Sequence, residues 1–263
     1  MKKSLRWAVP VAALGIAGLG IALPGAASAS AASTTYTATL SALNHVTGTG
    51  NVTVTVNGNQ ATVDETFSGL AATFGGKPYP HVQHIHGPGG GMGMGQCPST
   101  SADKNGDGVV STTEGQPAYG PILTTLSTTG DTSPKAATTL TVAPSGASTH
   151  YQRTITLDSS TMSALTSGKA VVVVHGLDPS TLSAKAQAEK SDIVPALPLA
   201  ATSPALCGVL TASQMSTTPV GSSPTGGGST SGIQDEAILA LGGGLVLVAG
   251  GAFAARRRLA RES

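Results

Sequence analysis

Val52, Val54 and Val56 alternate with Thr53 and Thr55, and Asn57-Gly58 follows at once. Beyond that turn, Ala61, Val63 and Phe67 return with the same period of two. Successive side chains of a strand point to opposite faces, so this pattern specifies a β-hairpin with one buried face. Further strands are predicted around Tyr36–Leu40, His81–His86, Ile122–Ser127, Tyr151–Leu157, Ala170–His175 and Cys207–Leu210, with turns rich in Gly, Pro, Ser and Thr between them. Short strands so spaced predict an all-β fold, an antiparallel sandwich or barrel. Aromatic residues make up only 3% of the chain, so the core must rest on Val, Leu, Ile, Ala and Thr, a composition that suits sheets. Two segments break the pattern. Pro88 to Gly95 reads as a glycine-rich loop, and Asp178-Pro179 predicts a short helix through about Lys190, capped by the Asp.

The two ends carry different information. Lys2, Lys3 and Arg6 precede an apolar stretch from Trp7 to Leu23, and Ala27-Ser28-Ala29 offers a small-residue cleavage site. Residues 1–29 therefore read as a secretory signal peptide. Near the other end, Ala237 to Ala255 is uncharged and long enough to cross a bilayer, and Arg256, Arg257, Arg258 and Arg261 follow it. The positive flank stays inside, which predicts a single-pass transmembrane helix over 237–255, a basic cytoplasmic tail over 256–263 and an extracellular domain upstream. Residues 212–236, rich in Ser, Gly, Thr and Pro, form the expected stalk, leaving 30–211 as the folded domain. The expected location is the cell membrane, with the membrane itself as one partner and an unidentified extracellular ligand as another. Residues 31–230 contain seven Lys and Arg against ten Asp and Glu, a net charge of −3, with no basic patch interleaved with aromatics. Nucleic acid is excluded as a partner on that ground. The two cysteines, Cys97 and Cys207, lie in the compartment where disulfides persist, and one bridge between them is the simplest reading.

Two clusters carry chemistry. The run from Asp103 to Glu114 fits the twelve-residue calcium-loop pattern D-x-[DN]-x-[DN]-G-x5-E. Asp103, Asn105 and Asp107 would supply side-chain oxygens, Val109 its carbonyl, Ser111 a water-mediated contact and Glu114 a closing carboxylate. Gly115 and Pro117 follow directly, so the expectation is a Ca2+ loop inserted between strands, structural in role. The other reading is an Asx-rich surface turn. The second cluster is His81-Val82-Gln83-His84-Ile85-His86. On a strand, His84 and His86 share a face that can chelate one metal, copper or zinc, whereas His81 falls on the opposite face. An H-x-H pair equally serves hydrogen bonding or packing. Met92 and Met94 offer soft thioethers to Cu(I), or simply fill the loop. Asp64 and Glu65 sit on opposite faces and make no carboxylate pair; no nucleophile elbow or phosphate loop appears, and no catalytic residue is assigned.

The stretch Tyr36–Leu70 followed by His84-Ile85-His86-Gly87-Pro88 resembles a CHRD (chordin-type) domain, a family linked to the Cu,Zn superoxide dismutase fold. Gly168-Lys169-Ala170-Val171-Val172-Val173-Val174-His175 and Leu206-Cys207-Gly208-Val209-Leu210 are similar to two further dismutase strands. The resemblance implies a Greek-key antiparallel β-sandwich, copper ligation by His84, His86 and His175, and a Cys97–Cys207 disulfide. It also implies a bridging histidine and zinc-ligand histidines after Cys97, where none stands before Tyr119, and an anion-guiding arginine where Thr202-Ser203-Pro204-Ala205 stands. The expectation is therefore a surface module stabilised by calcium and a disulfide. The alternatives are a copper-dependent dismutase-like enzyme and a copper- or zinc-binding protein without turnover.

Overall fold

Branched Val and Thr residues at alternate positions, with glycine at the turns, produce the first three strands of the domain: β1 (Thr34–Ala42), β2 (Thr49–Asn57) and β3 (Gln60–Ser68). The computed structural model describes residues 33–213. Gly58 takes a positive φ of 62° in the two-residue turn that pairs Asn57 with Gln60, a conformation for which glycine carries no Cβ penalty. A two-stranded ribbon follows, β4 (Thr73–Phe74) and β5 (Lys77–Pro78), then β6 (Gln83–His86), β7 (Ile122–Thr125), β8 (Thr149–Thr156), β9 (Val171–His175), β10 (Pro204–Val209) and β11 (Thr211–Ala212). Four short helices intervene: α1 (Thr112–Tyr119), α2 (Ser159–Thr166), α3 (Ala184–Ala188) and α4 (Leu199–Thr202).

Apart from the β4–β5 ribbon, the strands form one antiparallel sheet in the order β7-β6-β9-β10-β1-β2-β3-β8, with β11 against β1. The sheet is curled. Val52, Val54 and Val63 from one half share a continuous core with Ile85, Val172, Val174 and Leu206 from the other. Alternation then sends the opposite residues of β9 outward, and Val171 and Val173 pack with Tyr119 and Cys207 in a second, smaller cluster on the other face. Cys207 is bonded to Cys97 across 110 residues, as the sequence indicated, which pins the loop after β6 onto that face.

The expected strands are present, with two differences at the edges. β6 begins at Gln83, since His81 and Val82 precede the ladder, and β11 carries the pairing past residue 211. The helix expected over 178–190 is two pieces: a 3₁₀ turn at Pro179–Thr181 and α3, interrupted where Leu182 and Ser183 are extended and Ser183 caps a new start. α2 starts where Asp158 accepts from the Thr161 N–H as its N-cap. Among the described residues no helix is long and apolar enough to cross a membrane. The predicted signal segment, the membrane span 237–255, the basic tail and nearly all of the stalk lie outside the described residues.

Candidate metal centre

β6 runs beside β9, with His84 opposite Val173 and His86 opposite Val171. Gln83 and Ile85 therefore face away from His84 and His86. Residues 171, 173 and 175 share the histidines' face by the same alternation, so His175 at the end of β9 joins them. One ligating nitrogen from each ring lies within 4.8 Å of the others. Among the described residues, this is the grouping of three or more His, Cys, Asp and Glu side chains close enough to hold one ion. A metal with M–N bonds of about 2.0–2.1 Å needs its donors roughly 3.4–3.6 Å apart, so closing the site takes shifts on the order of an ångström or less.

The other nitrogen of each ring is occupied. His86 Nδ1 lies 2.9 Å from the Gly120 carbonyl, His175 Nδ1 2.6 Å from that of Thr202, and His84 Nε2 3.3 Å from that of Ala137. Carbonyl oxygens only accept, so each of these nitrogens carries the hydrogen and the tautomer is fixed. The lone pairs are then on His84 Nδ1, His86 Nε2 and His175 Nε2. Those three buried atoms have no hydrogen-bond partner among the described residues. Orphaned polar atoms are costly in an interior, and three on neighbouring rings within reach of one another could hold a metal ion. Second-row carbonyl partners of this kind orient metal-bound imidazoles.

Burial also keeps the rings neutral. The imidazole of His84 is held well below its ordinary range, first by desolvation and then by His175 and His86. Desolvation chiefly lowers His86 to about 3 and His175 to about 4, the latter countered by the Thr202 carbonyl and by Asp192. Neutral imidazole is the ligating form.

α1 sets the His86 ring. Gly120, at its C-terminus, receives His86, and Tyr119 packs its ring 4.6 Å from that imidazole. Gly120 has a positive φ of 90°, and a Cβ there would collide with the Gly87 carbonyl, so only glycine fits between helix and strand. A register shift between Ile85 and His86 against β7, and another between Pro204 and Leu206 against β9, flank the triad. Such irregularities re-aim side chains beside sites.

The rings stand at the floor of a cavity of about 660 Å³, whose walls include Phe74, Tyr79, Ile122, Leu140, Ile193 and Leu197. That volume lies in the range of small-molecule sites, roughly 300–1,000 Å³.

The remaining sequence candidates are placed elsewhere. His81 turns away from the triad, packs on Phe67 and Tyr79, and meets the carbonyls of His175 and Ala71 through its two nitrogens at 2.9 Å each. Met92 and Met94 are exposed and line a separate hollow with Pro88 and Pro117. Outside these candidates, His150 is exposed and pairs with Asp64 at 3.3 Å. In the loop 103–114, the Asp103 oxygens accept from the N–H groups of Gly106 and Gly108, and Asp107 accepts from Val109. Glu114 accepts from the N–H groups of Lys104, Asn105 and Ser111. Val109 is buried in the main core, and Ser111 caps α1. The loop lies between β6 and β7, as expected. Its last residues also start α1: Ser111 as N-cap and Glu114 form a reciprocal capping box, and Gly115 and Pro117 lie within the helix.

One further group is unexplained by the site. Glu65 is fully buried on the core face of β3, both its oxygens lack partners among the described residues, and desolvation raises it to about 8. Comparison with known protein families, with curated proteins and with solved structures gives no match to this chain.

Proposed function

We propose that this domain is a metal-binding module that holds one copper or zinc ion on His84 Nδ1, His86 Nε2 and His175 Nε2. The observation that carries the reading is the convergence of three buried, unpartnered imidazole nitrogens whose opposite nitrogens are all tied to backbone carbonyls. Three neutral nitrogen donors suit copper and zinc, and the cavity side leaves a position open. With the sequence reading of the two ends, the module is an exported one, tethered to the cell membrane by residues 237–255. The disulfide is in keeping with that compartment.

The dismutase-type resemblance supports the same ligand set and a Greek-key sandwich related to CHRD domains. It lends less to catalysis. No histidine stands between Cys97 and Tyr119 to bridge to a second metal, and Thr202-Ser203-Pro204-Ala205 offers no anion-guiding arginine. Metal binding without dismutation is therefore the leading form of the proposal. Elemental mass spectrometry of the purified protein after copper and zinc exposure tests it. About one ion per chain, lost in the His84→Ala, His175→Ala double variant, is expected; no retained copper or zinc overturns it. A superoxide assay on the loaded protein decides the enzymatic alternative.

A second, structural Ca2+ ion at 103–114 is the companion reading. The observation favouring it is crowding of acid groups: Glu189 is raised above its usual range by desolvation and then by Asp107, and Asn105 bridges both carboxylates. A cation would relieve that repulsion.

A further inference from the structure

The cavity above the triad is larger and more apolar than an inorganic ligand needs. Among the described residues, five large apolar side chains are exposed, and three of them, Phe74, Leu140 and Ile193, stand at this cavity. Apolar side chains gathered at a hollow rather than scattered mark a surface that covers something. They come from three separate segments: the β4–β5 ribbon, the connection between β7 and β8, and the connection between α3 and α4.

The charge of the cavity points the same way as its shape. Among the described residues no Asp or Glu lines it; besides the three histidines, the ionisable side chains there are Lys77, Tyr79 and Tyr119. Both phenols donate to carbonyls, Tyr79 to Ala200 and Tyr119 to Thr112, so each holds its proton and neither supplies a negative charge. The nearby carboxylates are engaged outside the lining. Asp192 accepts from the Thr113 N–H, and Asp178 from the Ser180 N–H. No carboxylate would ligate a divalent ion on the three neutral imidazoles, so its charge would be only partly offset, from a distance, by Asp192, and an anion would be attracted to it.

Resting on the metal-binding reading, we propose that the cavity takes an organic monoanion: an apolar carboxylate whose head occupies the metal's open position and whose body lies against Phe74, Ile122, Leu140, Ile193 and Leu197. The head supplies the missing charge and the body covers the exposed apolar wall. Neither an inorganic anion nor a neutral hydrocarbon does both.

The test uses the full-length protein in detergent, loaded with copper(II), with metal content measured on the same sample. 4-tert-Butylbenzoate and acetate are titrated separately while the copper resonance is followed by electron paramagnetic resonance. Both present a carboxylate, and only the first has an apolar body. The expected result is a change of the copper spectrum at a concentration at least tenfold lower for 4-tert-butylbenzoate. The Leu140→Asp, Ile193→Asp double variant touches no ligand. It should retain its copper and bind 4-tert-butylbenzoate at least tenfold more weakly than the unaltered protein, a comparison in which partitioning into detergent cancels. Equal potency of the two anions, or no spectral change with one copper per chain, overturns the carboxylate site and leaves the metal centre standing. Failure to retain copper overturns the carboxylate site, and failure to retain zinc as well overturns the metal centre.

Discussion

The carbonyl oxygen of Thr202 lies 2.6 Å from His175 Nδ1, and the same oxygen accepts from Thr112 Oγ1, also at 2.6 Å. The first residue of α1 thus helps hold the acceptor that fixes one metal-facing ring, while the helix's other end holds His86 through Gly120. Thr112→Val removes the second bond without leaving a large void. We expect metal affinity to fall about three- to tenfold, below the roughly 10–100-fold typical of losing a direct partner of a ligand. Thr112→Ser should retain affinity. Competition titration against a chelator measures both.

Because burial lowers His86 to about 3 and His175 to about 4, protons compete poorly for the metal-facing nitrogens. Copper or zinc release on acidification should have its midpoint below pH 5, whereas solvent-exposed histidines lose metal near their ordinary value of about 6.5. The same lowering means that the unfolded chain binds more protons below pH 6.5. These rings therefore make the metal-free protein less stable as pH falls toward 4. A release midpoint near 6.5 would contradict the burial argument.

Glu65 works in the opposite direction. Its folded value of about 8 exceeds the ordinary value of 4.5, so the folded state holds the extra proton between those limits. Its contribution to stability is complete below pH 4.5 and is lost as pH rises through 8, at up to roughly 1.4 kcal/mol per pH unit. Glu65→Gln should be more stable than the unaltered protein at pH 8.5, with the difference shrinking toward pH 5. Urea unfolding of both proteins at the two pH values isolates Glu65, since the histidine contribution is common to them.

The Cys97–Cys207 bond closes a loop of 110 residues and sits on the same face as the triad. Cys97→Ser with Cys207→Ala should destabilise the domain by roughly 2–4 kcal/mol. At about 2–4 °C per kcal/mol for a domain of this size, Tm falls by several degrees or more. Metal affinity should weaken as well, because Cys207 packs with Val171, Val173 and Tyr119 behind the rings. Calorimetry with and without zinc separates the two effects.

Millimolar calcium should raise Tm if loop 103–114 holds the ion. Glu114→Ala is a poor probe, since that carboxylate also closes the capping box of α1 and its loss alone costs about 1 kcal/mol. Asp103→Asn together with Glu114→Gln removes two charges while keeping one acceptor oxygen at each position; its calcium-free Tm should fall somewhat, and the calcium-dependent rise should vanish. An unchanged melting curve in the unaltered protein would remove calcium from the account.

The sequence by itself determined the strands, because period-two burial and turn glycines are local properties. Val52 to Val56, Gly58 and Val63 encode their hairpin without reference to the rest of the chain. It also supplied the pair His84 and His86, whose shared face follows from spacing alone, and the only disulfide that two cysteines allow. It placed Asp64 and Glu65 on opposite faces but gave no sign that Glu65 is sealed without a partner, since that depends on what covers β3. Tertiary structure decided the rest. His175 joins the pair because β9 lies beside β6 in a register set by the whole sheet, and the tautomers are fixed by carbonyls of Ala137, Gly120 and Thr202. The cavity exists because three segments distant in sequence meet at one rim. Alternation is written in neighbouring residues, whereas register between strands, carbonyl direction and enclosed volume arise only when remote segments pack together.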